Sequence, residues 1–361
     1  MTKTELERSG NIHTEPLVVL SFANTIGFIE TTKCNVTTPS PCNPPCDMNH
    51  GLLDLVQYNT SIPKDCMFTV RASYMSYMPL CHSPTYKQTI THDMAFGSAP
   101  FVGGVYIPKI PEVKFHMINI NNSDNLQNEF FNVVDELSQT HIFKGVIVYV
   151  TEKYILHSVE DIVFLNHFKK VQPDIPFALA GCIVEDAIFG QSETDDVIYS
   201  LNRSEDYISE KLISIGVFTI PKITDVTDGG NKSNFDVFSL IVDSTVWTKP
   251  AILKIITEFS NEVPRFEHSL VLKLSCVGRD KKHKVEQEYF RTLFPHTRLI
   301  GCYGNGELGF NHPERAPAPP SGALGAKRLR TSDTGRGLMY SYSTVFLYMG
   351  WGKITSPMGP K

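Results

Sequence analysis

Residues 276–279 read CVGR, a thiol three positions before a guanidinium. A nearby cation lowers a thiol's pKa and makes it a better nucleophile, so Cys276 is the first residue to consider for chemistry. Nucleophilic catalysis also needs a base and a group that orients it. The nearby His283 sits on a predicted helix, and the sequence does not aim that helix face at the cysteine. Three readings of Cys276 stand: a reactive nucleophile, a ligand-contacting thiol at a strand end with Gly278 and Arg279 in the turn beside it, and a small buried hydrophobe.

A second candidate is CYGNGELGF at 302–310, where Gly304, Gly306 and Gly309 spell G-x-G-x-x-G. That spacing cradles a pyrophosphate only between a strand and a helix, with an acidic residue about 20 positions further on. Here Pro313, Pro317, Pro319 and Pro320 forbid the helix, and Lys327 and Arg328 stand where the carboxylate belongs. No nucleotide cradle is expected, and Gly301, Gly304, Gly306 and Gly309 are read as structural glycines that let the backbone fold tightly. Glu307, with Asn305 beside it, either accepts N–H groups of its own turn or meets a ligand ammonium.

Cys42 and Cys46 flank two prolines, with Cys34 before them and His50 after. Zinc wants four ligands in short paired spacings, and no second tight pair follows, so no metal is expected. The chain also lacks G-x-S-x-G, H-E-x-x-H and paired C-x-x-C motifs, so neither a catalytic engine nor a cofactor is expected.

Elements that position these residues follow from hydrophobic period. Strands are predicted at 17–30, 66–78, 97–107, 145–150, 177–184, 212–220, 235–243, 269–276, 298–303 and 340–349. Helices are predicted after Ser123 as cap (Leu126, Phe130, Val133, Val134 and Leu137 on one face) and from the Ser158/Asp161 box. Further helices are predicted over 251–259, with Ile252, Ile256 and Phe259 inward, and after Asp280 as cap. Strands alternating with helices predict a layered α/β chain, α+β mixed, with mixed sheets flanked by helices. The expected divisions are a disordered 1–16, an α/β domain over 17–190, a second over 207–352, and a mobile loop at 312–337 rich in Pro, Ala, Gly and Ser.

With 361 residues, a formal charge of −5 and a pI near 6.2, the chain has no general attraction to nucleic acid or anionic lipid. Its first residues are charged and hold no signal-type apolar core, and no run reaches the ~20 apolar residues of a membrane helix. A cytoplasmic or nuclear protein with eight free cysteines is expected, its five sequons being chance matches. KRLR at 327–330 reads as a solvated basic loop or a nuclear address.

CVGR (276–279), the helix ending in YFRTLFP, GCYGNGELGF (301–310) and SYSTVF (341–346) together resemble the C-terminal domain of the FIST family, named for F-box and intracellular signal transduction proteins. Weaker similarity runs back through FALAG, GVIVYV and CMFTVRASYMSYMP, so the likeness covers most of residues 17–352 as two FIST-type halves. The resemblance implies a substrate-recognition protein that grips protein clients for a Skp, cullin and F-box type ubiquitin ligase. Microbial members imply instead a sensor of amino-acid-like ligands. Receptors of this kind carry an F-box upstream; about sixteen polar residues precede Leu17 and hold none, which leaves coupling to the ligase open.

Overall fold

A computed structural model describes residues 16–24, 27, 31–33, 49–51, 66–72, 74–78, 102–157, 162–189, 211–222, 234–315 and 338–356. The expectations for residues 1–15, the Cys34, Cys42 and Cys46 loop, the Ser158/Asp161 box, the boundary at 191–206 and the loop beyond 315 concern residues outside this set.

Six strands come first: β1 (Pro16–Ala23), β2 (Thr31–Lys33), β3 (Asn49–Gly51), β4 (Met67–Arg71), β5 (Tyr74–Met78) and β6 (Val102–Pro108). The chain then carries out one plan twice. The first pass is β7 (Lys114–Ile120), α1 (Asn132–Thr140), β8 (His141–Thr151), α2 (Glu152–His157), α3 (His167–Val171), β9 (Ala178–Val184), β10 (Asp186–Phe189) and β11 (Ile213–Pro221). The second is β12 (Asp236–Val242), α4 (Lys249–Glu262), β13 (Arg265–Cys276), α5 (His283–Leu293), β14 (Arg298–Gly304), β15 (Glu307–Phe310), β16 (Met339–Tyr340) and β17 (Thr344–Ser356).

The two passes build sheets of the same order, β9-β8-β11-β7 and β14-β13-β17-β12. Each has one parallel pair, β8 with β9 and β13 with β14, and antiparallel neighbours otherwise. Each sheet is then extended by a strand from the other half of the chain. β15 pairs antiparallel with β9, and β5 pairs antiparallel with β14. The halves expected at 17–190 and 207–352 therefore share strands. A third mixed sheet, β10-β4-β1-β6, completes the mixed α+β architecture expected from the sequence, beside a β2/β3 ribbon.

Period-2 alternation assigns the faces. Ile147, Tyr149, Ala180 and Cys182 of the first sheet meet Leu272, Leu274, Cys302 and Leu347 of the second in one core, which Leu20, Phe22, Phe68 and Val70 of the third sheet join. The opposite faces lie under helices: Val146 and Val148 with Phe130, Val134 and Phe168, and Val271, Phe346 and Tyr348 with Ile252, Ile256 and Phe290. The order is helix, sheet, sheet, helix. β8 is buried on both faces for this reason, as its continuous apolar run requires.

α4 shows how locally the sequence specifies an element. Thr248 caps it by accepting the Ala251 N–H, Pro250 fits its first turn, and Ile252, Ile256 and Phe259 are its buried residues. Burying each such side chain contributes roughly 1.5–3 kcal/mol. Other boundaries differ from the reading above. The cap expected of Ser123 is made by Asn122, whose side chain accepts the Asp124 N–H. α5 begins at His283 with Lys282, not Asp280, at its N-cap, because a 3₁₀ turn occupies Val277–Lys282. The strand expected over 66–78 is two strands in different sheets. No described helix is long and apolar enough to cross a membrane.

Candidate functional site

β17 runs antiparallel to both β12 and β13, and β13 parallel to β14, so β12, β13 and β14 end where β17 begins. In open α/β sheets ligands bind outside such carboxyl ends. That edge gathers the three motifs singled out in the sequence: 276–279 after β13, 304–307 after β14, and 341–344 leading into β17.

Arg279 ties them together. It is fully buried, and its Nε donates to Glu286 Oε1 at 2.6 Å. Its NH1 donates to the carbonyls of Asp243 (3.1 Å) and Tyr342 (2.9 Å), and its NH2 to that of Val246 (2.6 Å). A guanidinium so committed acts as a clamp between the loop after β12 and the loop before β17, and has no fork left for a ligand carboxylate. Its outer face lies 5.3 Å from the ring of Trp247, an exposed residue that Lys282 Nζ also approaches at 5.0 Å.

Glu307 holds the other side of the same loop. It is buried, and its Oε2 accepts from Ser343 Oγ (2.7 Å) and Ser343 N–H (3.4 Å), while Oε1 has no hydrogen-bond partner. Burial pushes its carboxyl up to about 8, against the Ser343 donors and Arg279, which pull it down. Cys276 is half-buried, and its N–H donates to the Ser343 carbonyl at 2.9 Å. Burial and the charge of Glu307 raise its thiol above the usual range, although the N–H groups of Tyr342 and Gly278 and the charge of Arg279 act the other way. The thiol form therefore prevails at neutral pH.

The opposite face of β13 carries a buried chain that joins the Arg279 clamp at Glu286. His283 Nδ1 lies 3.0 Å from Ser275 Oγ and 3.5 Å from Lys273 Nζ; Ser275 Oγ lies 2.5 Å from Thr344 Oγ1, which donates to Glu286 Oε2 at 2.7 Å. Lys273 is pulled down to about 8, by burial first and by Arg279, against the attraction of Glu286. Strand alternation places His283 and Cys276 on opposite faces, so they form no dyad.

The glycines serve close approach and unusual dihedrals. The chain passes from β14 in one sheet to β15 in the other through Asn305 and Gly306 alone. Gly306 has φ 147° and Gly309 φ 155°, where an L side chain is strained. A Cβ at Gly304 would lie 2.5 Å from the Ile183 carbonyl, and one at Gly301 would run into Lys273 backbone. Asn305 is exposed; its N–H donates to Ile183 O at 3.1 Å and its side chain donates to Glu152, just past the end of β8. Strand ends of both sheets thus meet at this edge.

Tyr342 escaped the sequence reading, although it lies in the SYSTVF stretch. It is 56% exposed and holds φ 54°, a left-handed conformation rare for a bulky residue. A Cβ on Gly278 would lie 2.6 Å from its ring, so a side chain there would displace the ring from its position. Trp247 also escaped, although it is one of only two tryptophans in the chain. No group of metal-ligating side chains gathers among the described residues. No family model matches this chain, and no curated protein matches it.

Proposed function

We propose that this chain is a partner-recognition protein of the FIST type, gripping protein clients destined for ubiquitin-dependent degradation. One observation supports the reading: CVGR, GNGE and SYST, which carry the resemblance, lie apart in sequence and meet at one edge through Arg279, Glu307 and Ser343. Their buried side chains hold loops rather than assemble a nucleophile with a base. Arg279 immobilises the backbone beside two exposed aromatics, and rigid aromatic anchors suit protein recognition. The test is client turnover. Depleting the chain from its own cells should lengthen the half-life of proteins that crosslink to it, and restoring it should shorten them again; crosslinked proteins with unchanged half-lives would refute the degradation role.

A second reading, a sensor of small amino-acid-like molecules, draws on the unpartnered Oε1 of the buried Glu307. The committed fork of Arg279 leaves such a ligand's carboxylate without its partner in the clamp. A ligand at 100 times its dissociation constant stabilises a fold by about 2.7 kcal/mol, so thermal shift against an amino-acid panel decides this reading, which fails if no member moves the melting point.

A further inference from the structure

Trp247 and Tyr342 stand on the loops after β12 and before β17, the first of which is anchored by Val246, packed against the core beneath the helices. Tyr342 is 56% exposed at φ 54°, and Trp247 is 41% exposed. An exposed bulky side chain in the left-handed region gains nothing for the fold and persists only where its surroundings over-determine it. Here they do: Arg279 takes the Tyr342 carbonyl, Glu307 takes both donors of Ser343, and Gly278 leaves room for the ring. The same guanidinium takes the Val246 carbonyl and stacks near the Trp247 ring.

The surroundings are cationic. Lys282 Nζ lies 5.0 Å from the Trp247 ring, and Lys249 and Lys284 are exposed in the first turns of α4 and α5. In sequence these segments carry Lys249, Arg279, Lys281, Lys282 and Lys284 against Asp243, Asp280 and Glu286, and Glu286 is paired with Arg279. Both helices present their N-terminal ends here, which adds positive potential. This local excess of cations contrasts with a chain whose formal charge is −5.

From this geometry we infer that Trp247 and Tyr342, flanking the Gly278–Arg279 turn beside Lys282, form a preorganised docking surface for a protein segment that carries carboxylates next to an aliphatic or aromatic side chain. The inference rests on the recognition reading and names the surface and the chemistry of its partner. The apolar side chain would fill the space beside the two rings while the carboxylates meet Lys282 and its neighbours, an arrangement that gives both affinity and salt-dependent steering.

The test pans a phage-displayed library of random 12-residue peptides against the full chain. Enriched sequences should place Asp or Glu within a few positions of Leu, Ile, Phe or Trp. A synthetic peptide of that consensus should bind Tyr342→Gly and Trp247→Ala at least about tenfold more weakly, and Lys282→Glu several-fold more weakly, with affinity falling as salt rises. Tyr342→Gly keeps the backbone conformation without the ring, so its melting temperature should equal or exceed that of the parent, separating lost binding from lost folding. Should Trp247→Ala unfold, Tyr342→Gly and Lys282→Glu still decide the matter. No enrichment, consensus peptides without carboxylates, or affinities indifferent to these substitutions would overturn the inference. Cellular clients that remain bound to Tyr342→Gly would remove this surface and leave the recognition reading intact, whereas loss of every client from the parent chain itself would remove that reading.

Discussion

At the scale of single residues, two buried ionisable groups near the shared edge give opposite pH responses. Glu307 holds its proton up to about pH 8 in the fold but would lose it near 4.5 when unfolded. The folded state binds the extra proton, so the stability Glu307 contributes is fully present below about 4.5 and is lost as pH rises through 8. Lys273 acts in the next window: lowered to about 8 from 10.5, it leaves the folded state short of a proton, and stability recovers as pH rises from 8 to 10.5. Glu307→Gln should flatten the first slope, at most about 1.4 kcal/mol per pH unit, and Lys273→Met the second. Chemical denaturation across pH checks both; variant curves parallel to the parent's would show that neither group titrates as described. Arg279→Met should cost about 3–5 kcal/mol, because it strands the Glu286 carboxylate in the interior. A loss below 1 kcal/mol would mean that the clamp is dispensable.

At the scale of elements, most strands were legible, but their ends and partners were not: the strand expected at 340–349 is β16 in one sheet and β17 in another. Residues 145–150 are a continuous apolar run that announces a buried strand, 177–184, 269–276 and 298–303 are apolar-rich stretches, and the face of α4 follows directly from its spacing. β7 was missed because its alternation slips at Met117 and Ile118, two adjacent apolar residues, and β15 was read as a glycine turn because Gly306 precedes it and Gly309 lies within it. The committed fork of Arg279 was equally illegible: a CVGR turn states that a cation follows a thiol, whereas the carbonyls it binds come from residues 33 to 63 positions away. The passage from β14 to β15 yields its own test. Gly304→Ala would force a methyl to within 2.5 Å of the Ile183 carbonyl, and overpacking of this kind costs about 1–3 kcal/mol. Thermal unfolding measures the loss, and a variant as stable as the parent would show that the two sheets can part there.

At the scale of the whole molecule, the repeated plan and the exchanged strands make one unit out of two halves. The sheet built on β8 takes β15 from the second half, the sheet built on β13 takes β5 from the first region, and the central core draws on all three large sheets. A fragment ending at 190, or one starting at 207, should therefore lack fixed tertiary structure, and the full chain should unfold in a single transition. Circular dichroism in the near and far ultraviolet checks this; two separated transitions would contradict it. The sequence predicts alternations of strand and helix, yet pairing between strands over 100 residues apart leaves no local signature, so the sharing had to come from the structure.

The central claim is recognition at the shared edge, and it is tested most directly by affinity purification of the intact chain and of Tyr342→Gly from the cells that make it, with mass spectrometry of what each retains. The account predicts a defined set of client proteins on the parent and their loss from the variant, at equal thermal stability. A parent that retains no defined clients, or a variant that retains the same ones, would contradict it.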